Sequence, residues 1–232
     1  MKTKLHILIV EDEIAIREGL LDIFIYHGYN VDFSADGAEG LKKALTGLYD
    51  LILLDVMLPS INGFEICNQV REQDREQAII MLTAKSADED IIEGLSLGAD
   101  DYVAKPFSIA QLMLRVQAVM RRSRSVIHHQ QQIQLSDELV IDCQNRSGIK
   151  GKQVLSFTGR EIDILQYLQA NSQRPVSCDE LLHKVWGYVN GIELETRTVD
   201  IHIAKLRRKI ESDPSQPIFL TTVRGSGYRL LV

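Results

Sequence analysis

Cysteine, proline and tryptophan are scarce in this 232-residue chain, at three, five and one respectively. Cys67, Cys143 and Cys178 are odd in number and widely spaced. They match neither a disulfide framework nor a zinc site, and read as reduced core residues. Long hydrophobic runs are also lacking. Leu51–Leu54 and Ile79–Leu82 are far too short to span a bilayer, so no membrane association is expected. The opening Met1-Lys2-Thr3-Lys4 leads into a short apolar strand broken by Glu11-Asp12-Glu13. That pattern lacks the apolar core and small-residue cleavage site of a secretory signal. The expectation is a soluble, cytoplasmic protein.

What remains is globular in composition, 45% hydrophobic and 25% charged. Charge divides the chain. Residues 1–122 carry 12 Lys/Arg against 20 Asp/Glu, a net of −8, and the remainder has a net of +2. The overall acidity therefore averages two unlike halves, and local pattern decides what each half binds.

The first half alternates short apolar runs, at 5–10, 30–34, 50–54, 78–82 and 102–104, with amphipathic stretches at 14–27, 37–48, 62–72, 88–97 and 108–122. Five strand–helix alternations predict a doubly wound α/β domain around a five-stranded parallel sheet. The third and fourth runs are apolar on both faces, as in the centre of such a sheet. Periodicity stops at 123–132, a polar stretch that reads as a linker between domains at 1–122 and 133–232. Beyond it, strands are expected at 133–135, 139–142 and 154–155, helices at 158–171, 178–186 and 196–211, and a closing pair of strands at 218–224 and 227–232.

Ligands of an open parallel sheet bind beyond the carboxyl ends of its strands. Glu11 and Asp12 follow the first strand, Asp55 ends the third, Thr83 the fourth and Lys105 the fifth. Three carboxylates together call for a cation, and an all-oxygen set suits Mg²⁺ with several waters retained. A carboxylate there can accept a phosphoryl group. Lys105 supplies a point charge and Thr83 a hydroxyl donor for its oxygens.

In the second half, Val199, Ile203, Leu206 and Ile210 form a compact apolar stripe on the helix at 196–211. Arg197, Lys205 and Arg208 are expected opposite it, flanked by Thr198, His202 and Lys209. An exposed basic face beside a core stripe is what a helix entering the major groove requires. Thr158 with Glu161 has the spacing of a capping box, and Thr221–Tyr228 reads as a hairpin with a flexible Gly225-Ser226-Gly227 tip.

The set Glu11-Asp12, Asp55-Val56-Met57-Leu58-Pro59, Thr83-Ala84 and Lys105-Pro106-Phe107 resembles the flavodoxin-like receiver domain of bacterial response regulators. The resemblance implies that Asp55 is the phosphoacceptor. Asp12, Asp55 and the Met57 carbonyl would bind Mg²⁺, Glu11 would assist through water, and Thr83 and Tyr102 would be the switch pair. It also implies a cis Lys105-Pro106 bond.

The second half is similar to the α+β winged helix-turn-helix effector domain of the OmpR/PhoB family, through Leu155-Ser156-Phe157-Thr158, Arg197-Thr198-Val199-Asp200, Leu206-Arg207 and Val223-Arg224-Gly225. That likeness implies DNA contacts from Arg197, Thr198, His202, Lys205, Arg207, Arg208, Arg224 and Tyr228, and an RNA polymerase contact in the loop 187–195. The family dimerises through the regions read here as the helix at 88–97, the strand at 102–104 and the helix at 108–122. Asp101 with Arg115 and Asp100 with Arg122 match its cross-subunit ion pairs. Ile92, Leu95 and Met113 match its apolar centre, whereas Ile91 and Gln111 depart from a usual basic–acidic pair.

The function implied is a two-component response regulator. It takes a phosphoryl group from a sensor histidine kinase and, once modified, binds direct repeats in promoter DNA as a homodimer. A phosphorylation-independent DNA-binding regulator is the first alternative. An aspartyl-phosphate phosphatase is the second, disfavoured because Met57 stands where such enzymes carry a second acid. Beyond phosphoryl acceptance and its own dephosphorylation, no enzymatic activity is expected.

Overall fold

The computed structural model describes residues 4–83, 97–122, 131–188 and 197–231. Contacts divide the chain into two compact units, Met1–Ser123 and Arg124–Val232.

Unit one runs β1 (His6–Val10), α1 (Ile14–Tyr26), β2 (Asn30–Ser34), α2 (Gly37–Ala44), β3 (Leu51–Asp55), α3 (Gly63–Gln73), β4 (Ala78–Thr83), β5 (Asp101–Ala104) and α4 (Ile109–Arg122). The strands form one parallel sheet in the order β2-β1-β3-β4-β5. Every residue of β3 and β4 is buried, because helices cover both faces of a parallel sheet. Ile7, Ile9, Leu53, Ile80 and Leu82 pack with Phe24, Leu112 and Val116 in the core. The expected helix at 37–48 stops earlier, at Ala44. The expected helix at 88–97 lies outside the described residues, apart from its last position.

The starts of α2 and α3 are fixed by side chains that satisfy orphan amides. Asp36 accepts from the Ala38 and Glu39 amides at the start of α2, and Asn62 accepts from the Glu65 amide at the start of α3. Gly63 has a further role. A Cβ there would sit 2.1 Å from the Asp55 carbonyl oxygen, so only glycine lets α3 begin against the end of β3.

Unit two opens with an antiparallel sheet, β6 (Gln132–Ser136), β7 (Leu139–Asp142), β8 (Ser147–Lys150) and β9 (Gln153–Ser156). Strand β8 was not expected from sequence, and the expected 133–135 strand begins one residue earlier, inside the segment read as linker. Helix α5 (Gly159–Ala170) starts from the Thr158–Glu161 capping box. Helix α6 (Cys178–Leu181) passes into a π-wound turn at Leu182–Trp186. Helix α7 (Arg197–Ile210) and a two-stranded hairpin, β10 (Leu220–Val223) with β11 (Gly227–Leu230), complete the unit. The hairpin closes through Gly227 at φ +112°, where a Cβ would lie 2.0 Å from the Val176 oxygen.

Candidate functional site

Parallel pairing brings the carboxyl ends of β1, β3, β4 and β5 to one edge of the sheet. Val10 pairs with Leu54, Asp55 with Leu82 and Thr83 with Ala104. The residues at these ends therefore converge although they are far apart in sequence. One carboxylate oxygen from each of Glu11, Asp12 and Asp55 lies within 4.8 Å of the others. Glu11 and Asp55 are buried and Asp12 is exposed. The Lys105 ammonium bridges the two buried acids, 2.8 Å from Glu11 Oε1 and 2.9 Å from Asp55 Oδ2. Its backbone amide donates to the Thr83 carbonyl at 2.7 Å, which fixes where the side chain enters.

Burial and the Asp55 charge raise the Glu11 carboxyl to about 7, against the opposing pull of Lys105. Burial disfavours the Lys105 charge, but Glu11 and Asp55 more than compensate and hold the ammonium protonated. The pocket thus gathers three carboxyl groups around one lysine. Its donors are all oxygen, so it fits a hard divalent ion such as Mg²⁺. The Met57 amide donates to Asp55 Oδ1 at 3.2 Å. Thr83 and Tyr102 are both buried, and the Lys105–Pro106 bond is cis.

The expected ion-pair acids, Asp100 just before β5 and Asp101 at its start, have partners inside this chain. Arg115 Nη1 lies 2.9 Å from Asp101 Oδ2. Arg71 lies 3.0 Å from Asp100 and also donates to the Gly98 carbonyl at 2.8 Å. Both acids are buried and engaged within the chain. Met113 is buried in the core. Ile91, Ile92 and Leu95 lie outside the described residues, and the Arg122 side chain is not described.

Helix α7 departs further from expectation. Thr198, His202 and Lys205 were placed on or beside an open basic face, yet all three are buried. Lys205 sits 3.4 Å, and Lys209 2.7 Å, from the buried Glu161 carboxylate of α5. The His202 ring lies 5.3 Å from the Trp186 ring, edge-on. The reason is a second covered side. Ile201 is buried although it falls about 200° round the helix from Val199 at 100° per residue. That apolar residue opposite the main stripe was the available signal.

The exposed stripe is instead Asp200, Ala204 and Arg208, with Arg207 beside it; the Arg197 side chain is not described. Sequence reasoning gave Asp200 no role, and its signal was the i, i+4, i+8 spacing with Ala204 and Arg208. Arg207 Nε donates to the Leu220 carbonyl at 2.8 Å and its Nη2 to Thr222 Oγ1 at 2.8 Å. The buried Glu211 carboxylate accepts from the amides of Ile218, Phe219 and Leu220. The hairpin is therefore anchored to α7, with Arg224 exposed at its tip. Trp186 belongs to the core, with the Arg160 guanidinium 4.8 Å over its ring. Of the loop expected to meet RNA polymerase, residues 189–195 lie outside the described residues.

Comparison with known proteins matches residues 7–117 to the response regulator receiver domain and residues 151–230 to the C-terminal domain of transcriptional regulatory proteins. The alkaline phosphatase synthesis transcriptional regulatory protein PhoP of Bacillus subtilis is 40% identical, over 97% of this chain and 95% of that protein. The response regulator ArlR of Staphylococcus aureus is also 40% identical, over 96% of this chain and 98% of its own. Among solved structures, a single-substitution mutant of RitR superposes with a TM-score of 0.73 at 28% identity, covering 98% of this chain and 99% of that one. The Thermotoga maritima OmpR/PhoB homologue DrrB does so at 0.53 and 28%, with the same coverage.

Proposed function

The chain belongs to the OmpR/PhoB family of response regulators, and from that premise we propose that Asp55 is its phosphoacceptor and that modification there governs promoter binding. The observation that carries this reading is the Lys105 bridge between Asp55 and Glu11, with Asp12 alongside. An Asp55 carboxylate oxygen bonds to phosphorus as the N–P bond of the sensor kinase's phosphohistidine breaks, and the leaving imidazole takes up a proton. Water later hydrolyses the acyl phosphate, which returns the carboxylate and releases phosphate.

Glu11, Asp12, Asp55 and the Met57 carbonyl are the residues that would hold Mg²⁺, which when bound neutralises phosphoryl oxygens. Lys105 pairs with the new phosphoryl group and Thr83 donates its hydroxyl to it. Tyr102 is the partner that registers the Thr83 movement. One charge-assisted hydrogen bond contributes about 1.5–3 kcal/mol, whereas inverting a 1:99 equilibrium takes about 5.5 kcal/mol. Homodimerisation and DNA binding supply the rest.

On the effector side, α7 enters the major groove with its exposed stripe. Arg197, Arg207, Arg208 and Arg224 meet phosphates or bases, while Thr198, His202 and Lys205 hold the helix in place from within the domain and Tyr228 ties it to the hairpin at the surface. Two linked copies on a direct repeat gain avidity without any new contact. RNA polymerase is the further partner, and the working compartment is the cytoplasm.

Selection from a random DNA pool, with and without Mg²⁺ and beryllofluoride as phosphoryl mimic, tests the reading. Enrichment of repeats spaced about 10–11 bp with the mimic alone is the expected result. Equal enrichment in both conditions leaves a constitutive binder, and enrichment in neither removes the DNA-reading assignment.

A further inference from the structure

Both loops that supply the acidic pocket are tied to a single turn between β2 and α2. On one side, the Glu11 amide donates to the Ser34 carbonyl at 3.0 Å. The buried Ser34 hydroxyl in turn donates to the Asp36 carbonyl at 2.8 Å and accepts from the Asp36 amide at 3.2 Å. On the other side, the loop that follows Asp55 is caught twice. The Ser60 hydroxyl donates to Asp36 Oδ2, and the Gly37 amide donates to the Pro59 carbonyl at 3.1 Å. A Cβ on Gly37 would lie 1.9 Å from the Ile61 oxygen, so the turn and the loop touch backbone to backbone.

Ser60 holds φ +68°, a left-handed conformation that non-glycine residues adopt at a cost. Such conformations persist where the surroundings over-determine them. Here the surroundings are the Asp36 carboxylate and the Ile61 amide, which donates to the Pro59 carbonyl across Ser60 at 2.8 Å. The other Asp36 oxygen is already committed to the Ala38 and Glu39 amides at the start of α2, which fixes the carboxylate in space. Ser60 is thus held against a rigid acceptor 24 residues away.

The structure assigns Asp36 and Ser60 as positioning residues of the acidic pocket: their hydrogen bond clamps the Asp55–Asn62 loop, and with it the Met57 carbonyl, at a set distance from the Glu11–Asp12 loop. Neither residue touches the cation or the phosphoryl group. They act by limiting how far the two donor loops separate. Outer partners of metal ligands commonly contribute about 10–100-fold in affinity. The clamp acts on loop backbones rather than directly on ligands, so the low end, about 10-fold, is expected.

The assignment rests on reading Glu11, Asp12 and Asp55 as the Mg²⁺ and phosphoacceptor site. The test is Mg²⁺ titration of the intact chain by calorimetry, together with the thermal midpoint. Three variants are compared with the unaltered protein. Ser60→Ala removes the hydroxyl. Ser60→Gly removes it and also relieves the backbone. Ser60→Asn keeps a donor in a residue that tolerates positive φ. The expected result is Mg²⁺ affinity about 10-fold weaker in both Ala and Gly variants and restored by Asn. If Ser60→Gly binds Mg²⁺ as tightly as the unaltered chain, backbone strain rather than a clamp explains Ser60 and the assignment is overturned. If the unaltered chain binds no Mg²⁺, the reading of the pocket fails and the clamp with it. A variant that lowers the thermal midpoint without changing Mg²⁺ affinity also overturns the clamp.

Discussion

The Tyr228 hydroxyl donates to the Asp200 carboxylate at 2.7 Å, and this bond joins the last hairpin of the chain to the exposed stripe of α7. Arg207 reinforces the joint, its guanidinium 5.7 Å over the Tyr228 ring while it bonds the Leu220 carbonyl and Thr222 hydroxyl. A helix and a hairpin tied at two points move together. Tyr228→Phe is expected to remove one charge-assisted bond, about 1 kcal/mol at a half-exposed site. Urea unfolding of the effector transition measures it, and an unchanged midpoint would show the bond to be idle.

The same Asp200 oxygen lies 3.7 Å from the Cys178 sulfur. Burial, and then the Asp200 charge, push that thiol up to about 11. Raised from an ordinary value of 9.0, the thiol has a thiolate fraction at pH 8 that is lower by about 100-fold. Cys178 should therefore react slowly with disulfide reagents near pH 8 and accelerate above about pH 10. Asp200→Asn should raise the rate at pH 8, as followed by mass spectrometry of the labelled peptide.

Glu161 accepts a hydrogen bond from the Thr158 amide at 2.7 Å and pairs with Lys205 and Lys209. Burial raises its carboxyl, but Lys205 and Lys209 more than offset this, so the net shift is downward. A depressed folded-state pKa adds stability that is present above the unfolded value and lost as pH falls through the folded value. Glu161→Gln keeps an acceptor for the cap and loses the charge. It should cost about 2 kcal/mol near pH 7 by removing the carboxylate charge that both lysines face. The difference between variant and unaltered protein should shrink as pH drops below about 4.5. A pH-independent difference would rule out the charge as the cause.

Arg71 is buried, and its guanidinium links Asp100 and the carbonyls of Gly98, Asp74 and Gln77. Removing one member of a buried pair leaves the other charge without its partner, at about 3–5 kcal/mol. Arg71→Met should destabilise the receiver by about that amount in denaturant unfolding. A loss under about 1 kcal/mol would indicate that Asp100 finds another counter-charge.

Gly63→Ala places a methyl 2.1 Å from the Asp55 carbonyl oxygen. The backbone must shift at the residue proposed to accept phosphate. Overpacking of this kind costs about 1–3 kcal/mol. Phosphorylation by acetyl phosphate, read on a phosphate-affinity gel, should slow in this variant, whereas Asp55→Asn should give no modified band. A band of ordinary intensity from Asp55→Asn would move the phosphoacceptor elsewhere.

Much of the receiver was legible because its signals are local. Apolar runs broken by turn residues define the strands, and parallel pairing then carries Glu11, Asp12, Asp55, Thr83 and Lys105 to one edge. The second sheet was less legible. Strand β8 is four residues long and includes Gly148, and its place depends on hydrogen bonds to β7 and β9.

The sequence by itself determined the order of the described receiver elements and which acids stand at their strand ends, since periodicity and strand-end positions are properties of neighbouring residues. Only the tertiary structure decided which polar side chains stay outside. Lys205 is covered because Glu161 is buried beside it, Asp100 and Asp101 are engaged because Arg71 and Arg115 reach them, and Asp36 meets Ser60 from another loop. A charged group enters the interior only where a partner from a distant segment awaits it, and no local pattern in the chain encodes that meeting.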